Sequence, residues 1–176
     1  LPHSSNNAKF LGWRFSSIGA TLVLPMRLTL DGGDMSQFKV LVVDDAPLMR
    51  MTIVNILKGD PHLKVVGKAK NGVEALKMMM STEPDLILLD IEMPEMDGLT
   101  FLRHARSKTE AKILVLSAVT GLGSAKAVEA KKLGADAVMN KPSGNVSMDL
   151  KEKRGDEFIE TIHVLLGLAE PKPDDA

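Results

Sequence analysis

The stretch "PDLILLDIEMPEMDGL", residues 84–99, decides the fold of this 176-residue chain. Four aliphatic residues, Leu86 to Leu89, run straight into Asp90, and Glu92, Glu95 and Asp97 follow around Pro94 and ahead of Gly98. A short continuous apolar run bounded by turn residues is the pattern of a strand buried on both faces. Strands of that kind belong to parallel sheets covered by helices on either side. In such sheets ligands bind just beyond the carboxyl ends of the strands. Asp90 therefore stands where the dry interior stops.

The same alternation extends outward from this point. "FKVLVV" (38–43) reads as a buried strand ending at Asp44 and Asp45. Pro47 suits the first turn of a helix, and Met49, Ile53, Ile56 and Leu57 make an apolar stripe that stops at Gly59. "LKVVGKA" (63–69) predicts a second strand, and "NGVEALKMMM" (71–80) a helix capped by Asn71. After the third strand (85–90), the sequence predicts a helix over 98–107 and a fourth strand, "AKILVLS", over 111–117. A weakly patterned helix over 122–133 is stopped by Gly134. "ADAVMN" (135–140) makes a short fifth strand, and Phe158, Ile159, Ile162, Leu165 and Leu166 mark the stripe of a closing helix. Strands alternating with helices in this way imply an α/β, doubly wound, five-stranded parallel sheet. The expected strand order is 2-1-3-4-5, helices covering both faces.

The totals fit one domain with extensions. An apolar fraction of 44% with 26% charged residues is ordinary for a globular chain. A net charge of −1 gives no field that would gather nucleic acid or an anionic membrane. The absence of cysteine excludes disulfides, thiolate metal sites and cysteine nucleophiles, and it suits a cytoplasmic location. Residues 1–34 hold the one tryptophan and no sustained period, and the apolar run from Ile18 to Leu24 is too short to span a bilayer. They read as a disordered or non-native extension, Met35 opening the domain proper over 35–168. A linker-like acidic, proline-rich tail, "AEPKPDDA", takes residues 169–176.

The polar residues at the strand ends form a set. Asp44 and Asp45 end the first strand and Asp90 the third, neighbours at the point where the winding reverses. Carboxylates that converge repel one another and take up protons unless a cation holds them. A small set of oxygen ligands suits Mg²⁺, whereas zinc would call for histidine or cysteine, which these strand ends lack. Ser117 ends the fourth strand with a hydroxyl, and Lys141 follows the fifth with a fixed positive charge. Each alone reads as surface or as a helix cap. Together they read as a site for phosphoryl chemistry, in which cation and ammonium offset phosphoryl charge while a carboxylate attacks.

"VLVVDDAPLMR", "DLILLDIEMPEMDGL", "ILVLSA" and "MNKPSG" together resemble the receiver domain of two-component response regulators, over about residues 38 to 168. The spacings match: 45 residues separate Asp45 from Asp90, 27 separate Asp90 from Ser117, and 24 separate Ser117 from Lys141. "DIEMPEMDGL" and "KPSGNVSMDL" are similar to the receiver of chemotaxis protein-glutamate methylesterases. The resemblance implies a flavodoxin-like fold in which Asp90 accepts a phosphoryl group from a histidine kinase. It implies Mg²⁺ held by Asp45, Asp90 and the backbone carbonyl of Glu92, with Asp44 acting through water. Ser117 and Lys141 would meet the phosphoryl oxygens, and the Lys141–Pro142 bond could be cis. Glu92, Glu95 and Asp97 would lie in a solvated turn, Glu92 influencing how water reaches the acyl phosphate. The output surface would be the fourth helix, fifth strand and fifth helix. One position departs from the family: Val138 stands three residues before Lys141, where an aromatic side chain is usual, so switching through Ser117 would lack an aromatic rotamer.

Other classes fare worse on the residues. A methylesterase centre needs a serine nucleophile and a histidine base, and His3, His62, His104 and His163 lie away from any nucleophile-elbow pattern. Ser124 in "GLGSAKA" (121–127) reads as a helix cap. An aspartyl phosphatase would carry a second aspartate two residues after its nucleophile, where this chain has Glu92. A flavin carrier would not place the acidic "DDAP" (44–47) where the flavin phosphate needs donors. The expectation is thus a phosphoaccepting regulatory domain of a methylesterase, with a stand-alone receiver acting by protein contact as the alternative.

Overall fold

A computed structural model describes residues 37–117, 124–142 and 148–171, with backbone alone over 148–154. The expectations for residues 1–34, for most of the "KPSG" loop and for the end of the tail lie outside the described residues.

Five strands, β1 (Phe38–Val43), β2 (Leu63–Ala69), β3 (Leu86–Asp90), β4 (Lys112–Ser117) and β5 (Ala137–Asn140), form one sheet in the order β2-β1-β3-β4-β5. Every pairing is parallel. The helices α1 (Pro47–Lys58), α2 (Gly72–Thr82), α3 (Gly98–Ala105), α4 (Ala125–Lys132) and α5 (Met148–Leu165) alternate with them. The sheet separates two cores. On one face Leu41, Val43, Ile87, Leu89, Ile113 and Val115 meet residues of α2, α3 and α4, Phe101 and Leu102 among them. On the other, Val40, Val42, Leu86, Leu88, Leu114 and Leu116 meet α1 and α5 through Ile53, Leu57, Phe158 and Ile162. Alternate residues of β3 thus face opposite cores, which is why the strand shows no polar position until Asp90.

Local chemistry sets the element ends. Asn71 Oδ1 accepts from the Glu74 amide at 2.8 Å, Asp97 Oδ1 from Thr100 at 2.7 Å and Ser124 Oγ from Ala127 at 3.2 Å, each capping the helix that follows. Gly134, with φ of 99°, takes the left-handed conformation that ends α4. Element ends differ from the expected ones by a residue or a few: α3 stops at Ala105 and α4 spans Ala125–Lys132. β5 begins at Ala137 because Asp136 spends its side chain on the Ile113 amide (2.8 Å) and on Arg106 and Lys112 (3.3 Å each). α5 begins at Met148, ten residues before the apolar stripe at Phe158. No cis peptide is found among the described residues, so the Lys141–Pro142 bond is trans, the isomer X–Pro bonds favour by about 0.5–1 kcal/mol. No described helix is long and apolar enough to cross a membrane.

Candidate functional site

The sheet register builds the site. Val43 pairs with Leu89 and Asp90 with Leu116, so Asp44 and Asp90 are the next residues out on two adjacent strands. Ser117 pairs with Asn140, which brings Lys141 past the same edge. The Lys141 amide donates to the Ser117 carbonyl at 2.7 Å and fixes that crossing. All five expected side-chain positions, Asp44, Asp45, Asp90, Ser117 and Lys141, therefore gather at the carboxyl ends of the strands.

Three carboxylates converge there. Oxygens of Asp44, Asp45 and Asp90 lie within 4.8 Å of one another. Asp44 and Asp90 are buried and Asp45 is exposed, so the cluster has a dry floor and one wet side. Lys141 Nζ sits 2.7 Å from Asp90 Oδ2 and 2.9 Å from Asp44 Oδ2. The floor is also tied by backbone bonds. The Ala46 amide donates to Asp44 Oδ1 (2.9 Å), the Arg50 guanidinium to the Asp44 carbonyl (2.6 Å), and the Glu92 amide to Asp90 Oδ1 (3.2 Å). Ser117 is buried beside this floor, and Val138 lies on β5 packed against the α3 side of the sheet.

The electrostatics are those of an under-neutralised cluster. One ammonium faces three carboxylates, leaving a formal charge of −2. Burial pushes the Asp90 carboxyl up; the Lys141 bond and charge pull it down, Asp44 pushes it up again, and the result lies above the usual carboxylate range. Burial also works against the Lys141 ammonium, but its ion pairs with Asp90 and Asp44 outweigh that and hold its proton more tightly than usual. Asp44 Oδ2 is buried and accepts no hydrogen bond of good geometry despite the nearby ammonium. A buried acceptor left in that condition, an all-oxygen donor set and a residual charge of −2 fit a hard divalent cation such as Mg²⁺.

Sequence reasoning missed what surrounds the cluster. Glu92 stands in the turn as expected, but its carboxylate meets Lys126 Nζ of α4 at 2.8 Å. Arg50, which clamps the Asp44 carbonyl, was also invisible, although its place one turn into α1 from Pro47 was the available signal. Glu95 adopts a left-handed backbone (φ 65°) at the tip of the turn. Among the described residues no histidine joins the cluster: His163 Nε2 meets Asp60 Oδ2 at 2.6 Å, with the His62 ring edge-on at 5.9 Å.

Comparison with known proteins agrees with this geometry. The family model for the response regulator receiver domain matches residues 40–152. The protein-glutamate methylesterase/protein-glutamine glutaminase of Halalkalibacterium halodurans is 44% identical over 127 residues, 72% of this chain and 36% of that protein. Its counterpart in Pyrococcus horikoshii is 39% identical over 126 residues, 72% of this chain and 34% of that protein. The chain thus spans about a third of the length of these curated relatives. Among solved structures, the response regulator domain of Thermotoga maritima CheB is 35% identical with a TM-score of 0.66, covering 77% of this chain and 99% of that one. A chain from the complex of the CheA3 P1 domain with CheY6 from R. sphaeroides is 49% identical with a TM-score of 0.64, covering 75% and 98%. With the 2-1-3-4-5 sheet and its strand-end acids, these matches show that the chain belongs to the response regulator receiver domain family.

Proposed function

We propose that this domain accepts a phosphoryl group on Asp90 from the phosphohistidine of a chemotaxis-type histidine kinase and regulates a protein-glutamate methylesterase. The observation that carries the reading is the Asp90 carboxylate, 2.7 Å from Lys141 Nζ and within 4.8 Å of two further carboxylates at the sheet edge. Asp90 Oδ would attack phosphorus while the P–N bond of the donor breaks and its imidazole leaves with the electron pair, taking a proton afterwards. Asp45, Asp90 and the Glu92 carbonyl would hold Mg²⁺, with Asp44 acting through water. That ion, when bound, would offset the charge developing on the phosphoryl oxygens.

The chain's own groups do the rest. Lys141 opposes the burial that favours protonation of Asp90 and, released from that oxygen once it carries the phosphoryl group, is free to follow that group. Ser117 offers its hydroxyl from the neighbouring strand end. Output would pass through α4, β5 and α5 as a shift in population of that face. The kinase reading draws support from the relative solved with the P1 domain of CheA3, and the methylesterase reading from the curated relatives. A kinase of this type places the reaction in the cytoplasm. The alternative, a stand-alone receiver signalling by protein contact, draws support from the 49% identity to a chain of the CheA3 P1–CheY6 complex.

The test is phosphorylation by acetyl phosphate with Mg²⁺, read by intact mass. The chain should gain one phosphoryl group, Asp90→Asn should gain none, and Ser124→Ala, which alters a helix cap, should label normally. Labelling that survives Asp90→Asn removes the proposal. Immunoblotting of the native protein separates the two outputs: a band near 19 kDa means a stand-alone receiver, and a band two or more times larger a regulatory domain.

A further inference from the structure

We propose that the Lys126–Glu92 ion pair tethers the Asp90 site to α4, so that Lys126 is a positioning residue for the loop that receives the phosphoryl group. The inference rests on the phosphoacceptor reading of Asp90. Glu92 has two contacts pointing in opposite directions. Its amide donates to Asp90 Oδ1 at 3.2 Å, while its carboxylate meets Lys126 Nζ, 34 residues later in the chain, at 2.8 Å. One residue thus touches both the acceptor carboxylate and a helix of the output face.

The helix it reaches is weakly seated. α4, "AKAVEAKK", buries Ala127 and Ala130 and leaves Val128 exposed. Two alanines carry little apolar area, so the position of α4 depends on polar links to a greater degree than that of its neighbours. Those links are Lys126 to Glu92, Glu129 to Arg103 of α3, and Lys131 Nζ to the Asp136 carbonyl at 3.0 Å. The first of these runs to the site itself. Val138, aliphatic and packed into the α3 side of the sheet, supplies no polar route of its own between site and surface. Coupling through a tether is reciprocal. Occupation of the site that draws on the Glu92 loop moves α4, and a partner that displaces α4 releases the loop over Asp90. The pair is exposed, so its coupling is about two- to five-fold and falls with added salt.

The experiment uses the full 176-residue chain labelled with ¹⁵N, titrated with Mg²⁺ alone and then phosphorylated with acetyl phosphate. In the parent chain Mg²⁺ should shift the amides of Ala127 to Ala130 together with that of Glu92. Lys126→Met should keep the Glu92 response, lose the α4 response and change the lifetime of the phosphorylated form about two- to five-fold. Lys126→Arg should restore both. Adding Glu92→Gln to Lys126→Met should change nothing further, because the pair acts as a unit. An α4 response that survives Lys126→Met, effects of the two variants that add, or α4 amides silent to Mg²⁺ in the parent chain would each overturn the tether. A parent chain that takes up no phosphoryl group while its α4 amides still follow Mg²⁺ through Lys126 would instead overturn the phosphoacceptor reading and leave the tether standing.

Discussion

Gly98 is the residue on which the placement of Asp90 turns, and Gly98→Ala tests that directly. A Cβ at Gly98 would lie 2.2 Å from the Asp90 carbonyl oxygen, 2.9 Å from the Ile91 Cα and 3.1 Å from the Asp90 carbonyl carbon. Ordinary contact begins at 3.4 Å, so the backbone must separate by about 1.2 Å, and every crowding atom is main chain. No rotamer can relieve it. Overpacking of this kind costs about 1–3 kcal/mol. Separation also stretches the bond from the Gly98 amide to the Ile91 carbonyl, now 2.8 Å, for about 1 kcal/mol more. Against this, alanine in a helix gains roughly 0.5–1 kcal/mol over glycine. The expected net loss is about 1–3.5 kcal/mol, a large share of the ~5–15 kcal/mol that holds a domain together. Urea unfolding followed by circular dichroism measures it as a shift in midpoint at unchanged slope. Gly155→Ala is the matched control: it lies inside α5, where an added methyl would meet nothing within 4 Å, and should gain roughly 0.5–1 kcal/mol. Because the displaced atoms belong to Asp90 and Ile91, the Gly98 variant should also label more slowly with acetyl phosphate. If Gly98→Ala proves as harmless as Gly155→Ala, the β3–α3 junction is not close-packed and does not aim Asp90.

Three further outcomes are expected. Asp97→Ala removes the α3 cap and should cost ~1 kcal/mol near neutral pH by urea unfolding. The Thr100 amide bond, with a smaller contribution from the Arg103 and Lys126 charges, holds the Asp97 carboxyl below its usual range; the folded state therefore binds that proton less readily than the unfolded one, the stabilisation is complete above the ordinary carboxyl value, and the cost of the substitution should shrink as pH falls through the depressed one. Mg²⁺ at a hundredfold excess over its dissociation constant should raise stability by about 2.7 kcal/mol, EDTA should reverse this, and Asp90→Asn should blunt it in a thermal melt. Lys141→Met leaves Asp44 and Asp90 buried without their ammonium and should cost ~3 kcal/mol in EDTA, with a smaller loss in Mg²⁺; an equal loss in both solutions would show that the cation does not share the charge of this cluster.

What the sequence made legible, and what it did not, divides along one physical line. The strands and the site were read from the same residues, because a strand buried on both faces shows itself by aliphatic runs such as Leu86–Leu89 and ends where the first charge, Asp90, can reach water. Adjacent strands in register then leave their terminal acids little choice but to converge, and Lys141 follows from the β4–β5 pairing in the same way. Helix surfaces carry no such rule. The first ten residues of α5, "MDLKEKRGDE", have no apolar stripe, and α4 has only two buried alanines, so periodicity underreports both. Polar side-chain contacts across long separations, Lys126 with Glu92 over 34 residues and His163 with Asp60 over 103, depend on how the helices are laid on the sheet and leave no local trace. Acceptor chemistry is therefore specified by the strand ends, where burial constrains every position. The readout is written on polar helix faces, where many sequences would serve. That division lets Val138 stand where an aromatic ring is usual while the acids, the serine and the lysine keep their places at the strand ends: burial fixes the interior positions, and the exposed pairs around α4 are free to vary.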